Sequence, residues 1–322
     1  MISVTAVIPV FNGRDLLAAL LDSISAQSVP FAEIIVVDNG SRDGAPDMAR
    51  ERGCRVICLG ANTGFAVAVN RGWLESRTPW VAILNSDVVL SPNWLDQFTA
   101  HLNSTSAFLT GKLLQASRPE YLDGTFDLIS RAGCAWRAGH GQRDAASTGE
   151  PTEILLASAT ACLYRREILA ALGGFEESFE SYLEDVDLAL RCAAAGWTGL
   201  YVPAARATHL GSATFGAWSP AVVRLISRNQ LLLIQRHYDK ALFRAWLWPI
   251  LAGQLLWGLA ALRHGAASAW LQGKLEACRG FHLAGNPTRA LRAAVENSEA
   301  QIRKLAADSY WRWYFRLTAG AL

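Results

Sequence analysis

Four carboxylates lie close together in the segment ESYLEDVDLALR, at residues 180–191, and could carry out acid–base chemistry. They are Glu180, Glu184, Asp185 and Asp187. Apolar residues recur between them at helical spacing, and acids at a helix start are ordinary because the free backbone amides favour negative charge. Ser181 and Glu184 also have the spacing of an N-terminal capping box. The segment predicts a helix start and leaves open whether one of its carboxylates is a catalyst.

The elements that must position this cluster alternate along the N-terminal part of the chain. Apolar, β-branched runs predict four buried strands, in VTAVIPVFN, AEIIVVDNG, CRVICLG and WVAILNSDVVL. Amphipathic segments between them predict helices, in RDLLAALLDSISAQ, APDMARERG and GFAVAVNRGWLES. Because strand and helix alternate in this way, we expect an α/β fold with a doubly wound, mostly parallel sheet.

Polar residues follow the carboxyl ends of these strands, which is where such sheets bind ligands. The polar segments are Pro9–Asn12, Asp38–Ser41, Gly60–Asn62 and Asn85–Asp87. One Asp-Asn-Gly would be an ordinary turn, but three successive strand ends with Asn or Asp are more than turns require. The pattern predicts a polar ligand site, in which Asp87 is either a metal ligand or a cap on the next turn.

The middle of the chain is less regular. Between Arg118 and Pro151 the periodicity fades, and we expect a long mobile loop over the site. EILLASATACLYRREILAALGGF predicts a strand and a helix, and GLYVPAARATHLGS predicts a strand ending in His209. His209 could be a second metal ligand, although a lone histidine is more often structural or simply solvated.

Several common active-site motifs are absent from the sequence. There is no GxxxxGK[ST] loop, no GxGxxG after the first strand and no GxSxG elbow, which argues against a P-loop NTPase, a dinucleotide oxidoreductase and an α/β-hydrolase. The candidate site is rich in Asp, Asn and His with few lysines nearby. A diphosphate ligand there would need a divalent cation.

Charge is distributed unevenly along the 322 residues. Residues 1–223 contain 16 Lys and Arg against 23 Asp and Glu, whereas residues 224–322 contain 14 against 5. A basic, Trp-rich C-terminal part suits an anionic membrane surface or a nucleic acid. The six cysteines form no CxxC pair, and the N-terminal segment MISVTAVIPV lacks the features of a signal peptide. We therefore expect reduced thiols and a cytoplasmic location.

The C-terminal part contains two candidate membrane-contacting segments. Residues 245–262 are 18 uncharged residues flanked by basic ones, and could form an interfacial or re-entrant helix, a span, or a buried helix. YWRWYFRL, at residues 310–317, interleaves aromatics with arginine, as in a headgroup-level anchor or an ordinary packed helix. Between them, a near-heptad apolar repeat could pack against the rest of the chain. Its residues are Leu291, Val295, Ile302 and Leu305.

Taken in order, the motifs resemble those of family 2 glycosyltransferases, and most closely a bacterial rhamnosyltransferase-like branch. They are IPVFN, VVDNGSRDG, NTGFAVAVNRG, LNSDV, GGFEESFESYLEDVDLALRCAAAGW, HLGS and SRNQLLLIQRHY. The resemblance covers about residues 3–237. It implies a GT-A catalytic domain at 1–223, with a nucleotide-sugar half (about 1–115) and an acceptor half (about 116–223). It also implies a helical, membrane-associating region at 224–322.

The resemblance also implies roles for individual residues. The nucleotide-sugar site would comprise Pro9, Asn12, Asp38, Asn39, Asn62, Gly64, Asn70 and Asp87. Asp87 stands at the last position of the family's DxD motif, which here reads Asn85-Ser86-Asp87. Because the first acid is missing, Asp87 and His209 would hold Mg²⁺ or Mn²⁺ together with the donor diphosphate. Asp185 would be the general base, and Glu184 would orient the acceptor or the loop.

The function implied is inverting, metal-dependent sugar transfer from a nucleotide-sugar in cell-surface polysaccharide (O-antigen-like) synthesis. The best candidate is L-rhamnose from dTDP-rhamnose, moved to a polyprenyl-linked or glycan acceptor. The enzyme would lie peripherally on the cytoplasmic face of the bacterial inner membrane, without nucleic acid, and a homo-oligomer stays open. Alternatives are the same chemistry with UDP-galactofuranose, a UDP-hexose or a UDP-N-acetylhexosamine, and a non-catalytic scaffold subunit. A sugar nucleotidyltransferase fits poorly, because no basic, Gly-rich loop follows the first strand.

Overall fold

The structure is a computed structural model that describes residues 3–144, 149–210 and 218–319. The strands in these ranges are β1 (Val4–Val10), β2 (Glu33–Asp38), β3 (Arg55–Cys58), β4 (Trp80–Leu84), β5 (Val88–Leu90), β6 (Phe108–Gln115), β7 (Arg118–Gly124), β8 (Asp127–Ile129), β9 (Ala135–Arg137), β10 (Thr152–Ile154), β11 (Ala161–Arg165) and β12 (Gly199–His209). The helices are α1 (Arg14–Ser25), α2 (Ala45–Glu51), α3 (Phe65–Glu75), α4 (Asp96–Thr99), α5 (Arg166–Leu172), α6 (Glu184–Ala194), α7 (Pro220–His237), α8 (Lys240–Ala245), α9 (Leu247–Arg263), α10 (Ala267–Cys278), α11 (Arg289–Leu305) and α12 (Ser309–Leu317).

One large sheet organises the N-terminal two thirds of the chain, in the strand order β10-β12-β6-β11-β4-β1-β2-β3. β3, β2, β1 and β4 are parallel, as their apolar runs predict. β11 is antiparallel to both of its neighbours, β4 and β6, so the sheet as a whole is mixed. The predicted α/β fold is confirmed, although the sheet is mixed rather than mostly parallel, and its parallel half brings the polar strand ends to one edge.

Helices cover both faces of the sheet. Alternate residues of β1, such as Ala6 and Ile8, face a core formed with α1, α2 and α4. Val7 points to the opposite face, where α3, α5 and α6 form a second core. Burial on both faces explains why these strands read as continuous apolar runs rather than alternating ones.

Two predictions about the middle of the chain are wrong. WVAILNSDVVL is not one strand, because β4 ends at Leu84 and, after a turn at residues 85–87, β5 pairs with β12 instead. The segment from Arg118 to Pro151 is not a long mobile loop, since it contains β7, β8 and β9. β7 pairs with β6 in the large sheet, β8 pairs with β9, and polar residues of these strands help to line a cleft.

The C-terminal helices pack onto the rest of the fold. The near-heptad repeat packs through its first three residues, because Leu291, Val295 and Ile302 of α11 are buried, whereas Leu305 is exposed. Ser298 Oγ accepts a hydrogen bond from Ile129 N at 2.6 Å, and Arg131 donates to the buried Glu299. α7 runs through residue 223, where the sequence suggested a domain boundary. In the described part of the chain, no helix combines the length and apolarity needed to cross a membrane.

Candidate active site

A cleft of about 510 Å³ opens at the carboxyl ends of β1, β2 and β4. The sequence-predicted residues that line it are Pro9, Asn39, Asn62, Asp87, Glu184, Asp185 and His209. Residues from three separate parts of the chain therefore meet at the predicted edge of the sheet. Gly211 and Ser212, from the HLGS motif, lie outside the described residues.

Asn39 organises the wall of the cleft that follows β2 and β3. Its Nδ2 donates to Asn62 Oδ1 at 3.1 Å and to the carbonyl of Gly64 at 3.0 Å. Its Oδ1 accepts hydrogen bonds from the backbone N and the hydroxyl of Thr63, at 2.8 and 2.9 Å. Asn39 is buried, so this network fixes the loop after β3 against the end of β2.

Four of the residues predicted to bind the nucleotide-sugar are absent from the described lining of the cleft. Asp38 Oδ1 accepts from Ser41 N, and Asn12 Oδ1 accepts from Arg42 N, so both side chains hold turns. Asn70 bonds both the carbonyl and the amide of Phe175, which ties α3 to the segment before α6. Gly64 lies against the carbonyl of Glu180, where a Cβ would be only 2.7 Å from that oxygen.

Asp87 and His209 meet on the floor of the cleft. His209 Nε2 is 3.4 Å from Asp87 Oδ1, and its Nδ1 is 2.9 Å from Asp123 Oδ2. Burial would lower the pKa of His209, but its hydrogen bonds with Asp123 and Asp87 raise it above the ordinary value. Nearby, Asn85 Oδ1 is buried without a partner among the described residues. The described lining therefore offers a carboxylate and an imidazole nitrogen 3.4 Å apart, together with an amide oxygen that has no described partner.

Arg137 is the central cation of the cleft, and no sequence pattern singles it out. It donates to Asp123 Oδ2 at 2.7 Å and to Ser158 Oγ at 2.8 Å, and lies 3.6 Å from Asp127. Burial acts to raise the pKa of Asp123, but the hydrogen bond from His209 and the charge of Arg137 lower it to about 2. Burial raises the pKa of Asp127 to about 7 despite the adjacent Arg137.

The start of α6 differs from the predicted capping box. Leu183 is the N-cap residue and no side chain caps the helix. Ser181 Oγ instead accepts a hydrogen bond from Phe65 N at 3.1 Å. Glu184 is buried, and its Oε2 has no partner in the described part of the chain. Burial and the charge of Asp185 raise the pKa of Glu184 well above its usual range.

Asp185 projects from the first turn of α6 into the cleft. Its Oδ2 accepts from Ala159 N at 3.0 Å, and its Oδ1 accepts from Val186 N at 2.9 Å. Burial raises the pKa of Asp185, while these two backbone amides and Arg137 oppose the shift. A carboxylate has about four lone-pair sites, so each oxygen keeps one to accept a proton. Asp185 is therefore equipped to act as a base in the cleft.

The other two carboxylates of the acidic segment have structural partners. Asp187 faces away from the cleft and bonds Arg191 (2.8 Å), Arg236 (3.1 Å) and His237 (2.9 Å). Burial acts to raise the pKa of Asp187, but the hydrogen bond from His237 and these charges lower it below its ordinary value. Glu180 forms an ion pair with Arg228 outside the cleft.

Comparison with known proteins places the chain in a family. The profile described as "Glycosyl transferase family 2" matches residues 5–173, which is just over half of the chain. The chain belongs to glycosyl transferase family 2. The matched range of this glycosyltransferase ends before Glu184, Asp185 and His209, so their roles depend on the geometry above.

Curated relatives of this glycosyltransferase come from bacteria. It is 29% identical over 226 residues to the N-acetylglucosaminyl-diphospho-decaprenol L-rhamnosyltransferase of Mycobacterium tuberculosis, covering 60% of this chain and 71% of the relative. It is 30% identical over 217 residues to the pre-mycofactocin glycosyltransferase of the same species, covering 64% of this chain but only 42% of the relative. These matches support the rhamnosyltransferase-like branch.

Among solved structures, the glycosyltransferase resembles the mannosyltransferase PcManGT from Pyrobaculum calidifontis, determined in complex with GDP-Man and Mn²⁺. The TM-score is 0.53 at 17% sequence identity, over 99% of this chain and 84% of the other. At this identity the likeness concerns the fold alone. It confirms the GT-A fold expected from the sequence.

The charge of the cleft limits what this glycosyltransferase can bind there. Five carboxylates line the cleft, Asp87, Asp123, Asp127, Glu184 and Asp185. The only arginine or lysine in the described lining is Arg137, which is already paired with acids. Within the described ranges, no group of three or more His, Cys, Asp or Glu is arranged to hold a metal. A diphosphate would therefore need a cation whose remaining ligands come from the diphosphate itself and from water.

Proposed function

We propose that this glycosyltransferase transfers a sugar from a nucleotide-sugar to an acceptor hydroxyl by metal-dependent single displacement, with inversion. The observation that carries the proposal is that Asp185, a buried base candidate, shares one cleft with Asp87 and His209. In a single displacement, the group that deprotonates the nucleophile and the group that stabilises the leaving diphosphate must lie in the same site. We propose that Asp185 serves the first as a base, and that Asp87 and His209 serve the second by holding a cation together with the diphosphate.

The residues on the cleft floor fit a divalent cation. Two ligands about 2.1 Å from an octahedral ion and at right angles to each other are about 3.0 Å apart. The 3.4 Å between His209 Nε2 and Asp87 Oδ1 is close to that separation. Asp123 would fix the imidazole orientation from the other side. Mg²⁺ or Mn²⁺ bound there would stabilise the negative charge that develops on the departing diphosphate.

Asp185 is the residue we assign as general base. Its carboxylate is held by two backbone amides, which keep its orientation fixed and favour the ionised form that a base needs. Glu184 has the more strongly raised pKa, and its protonated form could donate a hydrogen bond to the acceptor. The pair thus divides into an ionised base and a neutral orienting acid.

The donor and acceptor are proposed from the relatives. We infer transfer of L-rhamnose from dTDP-rhamnose to a polyprenyl-linked or glycan acceptor in cell-surface polysaccharide synthesis. A relative named as acting on N-acetylglucosaminyl-diphospho-decaprenol supports this choice. So does another, named the O-antigen biosynthesis protein RfbC of Myxococcus xanthus. A non-catalytic scaffold is less well supported, because both Asp87 and Asp185 are in the cleft.

The test is nucleoside diphosphate release with a panel of nucleotide-sugars, in the presence of Mg²⁺ or Mn²⁺ and then with EDTA. We expect dTDP-rhamnose to give the fastest release and EDTA to abolish it. Faster turnover of UDP-galactofuranose, a UDP-hexose or a UDP-N-acetylhexosamine would identify that compound as the donor and leave the proposed mechanism unchanged. Absence of release from every donor and acceptor tried would favour the scaffold, and full activity in EDTA would reject the metal.

We also propose that the enzyme docks on the cytoplasmic face of the bacterial inner membrane through α9 and α10. These helices expose six leucines, each between 50% and 62% accessible: Leu251, Leu255, Leu259, Leu262, Leu271 and Leu275. Their opposite sides pack on α7, through Trp257 and Lys274 to Ser227. Near this leucine face, Arg263 and Arg279 are exposed and form no ion pair with a described carboxylate. Apolar and cationic groups together suit an anionic bilayer.

Sedimentation with vesicles tests this docking. We expect binding to vesicles containing phosphatidylglycerol, weaker binding to phosphatidylcholine alone, and loss of binding in the double variant Leu255→Glu/Leu259→Glu. Leu74→Glu is the matched control, because Leu74 is 55% exposed on α3. Equal binding by the control and the double variant would reject the leucine face. A dimer that dissociates in the double variant would identify a second copy of the chain as the occupant instead.

A further inference from the structure

The loop before α6 has an unusual backbone. Three of its residues, none of them glycine, have positive φ angles: Glu180 (60°), Tyr182 (70°) and Leu183 (67°). Residues with a Cβ rarely adopt this region, because the side chain crowds the backbone. Such conformations persist only where the surroundings impose them, and they cluster at functional sites. Something in the structure must hold residues 179–183 in place.

The group that holds this loop comes from α7. Asn229 is fully buried, and its Nδ2 donates to the carbonyls of Phe179 (2.9 Å), Ser181 (2.9 Å) and Tyr182 (2.7 Å). One NH₂ group with two hydrogens thus serves three carbonyls of the strained segment, so one of its hydrogens is shared between two acceptors. The neighbouring Arg228 uses its Nη2 to donate to the carbonyls of Ser178 and Phe179, both at 3.0 Å.

The other side of the loop is fixed to the start of α3, next to the cleft wall formed by Asn39, Asn62 and Gly64, which we call the nucleotide wall. Ala66 N donates to the carbonyl of Glu180 at 3.0 Å, and Phe65 N donates to Ser181 Oγ at 3.1 Å. Since no side chain caps α6, the direction of its first turn depends on the loop that enters it. Asn229 therefore holds the loop that connects the nucleotide wall to the turn bearing Glu184 and Asp185.

We propose that Asn229, assisted by Arg228, is a positioning residue that sets the orientation of Asp185 by holding the loop 179–183 in its strained conformation. It touches neither donor nor acceptor, and Asn229 is absent from the cleft lining. The inference depends on the proposed role of Asp185 as base. It adds that the C-terminal helices contribute to catalysis through α7.

Asn229→Leu is the main test, because leucine has a similar size and no charge but cannot donate. We expect kcat for nucleoside diphosphate release to fall at least tenfold, with the Kd for nucleoside diphosphate changed less than threefold. The Asn39 network that shapes the nucleotide wall does not include Asn229. Release of the loop should also expose Glu184 and Asp185 to water, so the acidic limb of the pH profile should move to lower pH. Asp127, Asp187 and Arg137 are the other charged groups acting on these two carboxylates.

Gln235→Ala is the matched control. Gln235 is also a buried amide on α7, but its Nε2 donates to the carbonyl of Ala277 on α10 at 2.9 Å. We expect a similar loss of melting temperature with kcat and the pH profile unchanged. If Gln235→Ala lowers kcat as much as Asn229→Leu, or if Asn229→Leu leaves the acidic limb in place, Asn229 has only a structural role.

Two further variants keep the outcomes distinct. Arg228→Lys keeps the charge but loses the planar fork, so kcat should fall about threefold in a folded protein even if Asn229→Leu does not fold. If Asn229→Leu does not fold and Arg228→Lys keeps the wild-type kcat, the positioning role of Asn229 and Arg228 is rejected. Asp185→Asn measured in parallel separates the two proposals. Normal turnover in Asp185→Asn rejects the base, whereas loss of turnover there with normal turnover in Asn229→Leu rejects only the positioning role.

Discussion

Asp185 and Asp187 are two residues apart on α6, and replacing each by Asn should damage the protein in different ways. Asp185 faces the cleft, and burial raises its pKa, so the fold gains little from its negative charge. Asp187 is buried among Arg191, Arg236 and His237. Asp185→Asn should lower kcat and change the free energy of unfolding only a little, whereas Asp187→Asn should lower the free energy of unfolding.

The expected magnitudes differ accordingly. General base catalysis typically contributes roughly 100- to 10,000-fold, so Asp185→Asn should lower kcat by that factor. Asp185→Asn loses one of the two hydrogen bonds from backbone amides, because the Asn Nδ2 cannot accept, but it also removes a buried charge whose pKa is raised, so the free energy of unfolding should fall by less than about 2 kcal/mol. Removing one partner of a buried ion pair costs about 3 kcal/mol or more, which for Asp187→Asn is a fall in melting temperature of about 4 °C or more.

The sign of the pH dependence provides a second check on Asp187. Its pKa is lower in the folded protein than in the unfolded chain, so its contribution to stability is complete above the unfolded value of about 3.9. That contribution is lost as the pH falls below this value. The difference in stability between the wild type and Asp187→Asn should therefore be large at pH 7 and shrink below about pH 4.

The assay pairs calorimetric melting with nucleoside diphosphate release at saturating donor. Asp187→Asn should retain kcat near the wild-type value when assayed well below its melting temperature. Turnover by Asp185→Asn within threefold of the wild type would refute the assignment of the base. A larger loss of melting temperature in Asp185→Asn than in Asp187→Asn would refute the division of the acidic segment into catalytic and structural carboxylates.

Three further predictions concern the rest of the cleft. Asp123→Asn should weaken Mn²⁺ binding by about 10- to 100-fold, measured by calorimetry with nucleoside diphosphate present, because it frees the imidazole that Asp123 orients. Gly124→Ala should lower kcat, because the new Cβ would lie 2.2 Å from the stem of Arg137, whereas Gly149→Ala, with nothing within 4 Å, should be silent. The acidic limb of kcat should lie above pH 4, since burial raises the pKa of Asp185 and the ionised form is the active one; a limb at or below pH 4 would contradict this.

The sheet and one wall of the cleft could be predicted from local patterns. Strands buried on both faces must be apolar throughout, so β1, β2 and β4 are visible as runs, and their polar ends mark a shared edge. The wall residues Asn39 and Asn62 and the floor residue Asp87 follow directly from that rule. Which asparagines line the cleft could not be predicted, because the contacts that hold Asn12 and Asn70 outside its lining, with Arg42 and Phe175, are made only by the fold.

The opposite wall could not be predicted, because its residues lie on short strands with weak patterns. β8 and β9 have three residues each, too few for alternation to be recognised. Arg137 and Asp123 are 14 positions apart and meet only through the fold. The sequence between residues 118 and 151 is rich in Asp, Arg and Gly, which could have indicated this wall of the cleft. The interpretation of this composition as a mobile loop is wrong. The predicted capping box fails for a similar reason, since Ser181 bonds a distant backbone amide.

The position of α7 explains why the C-terminal region belongs to the catalytic unit. On one side α7 supplies Ile226 to the cleft lining and Asn229 to the strained loop. On another side the backbone of Arg224 approaches Gly273 of α10 so closely that a Cβ there would lie 2.2 Å from the carbonyl oxygen. α10 carries two of the exposed leucines on its outer face. α7 therefore contacts both the loop that positions Asp185 and the helix α10 of the proposed membrane-docking face. If that face lies on the bilayer, the thickness of α10, roughly 10 Å, separates α7 from the lipid that carries the acceptor.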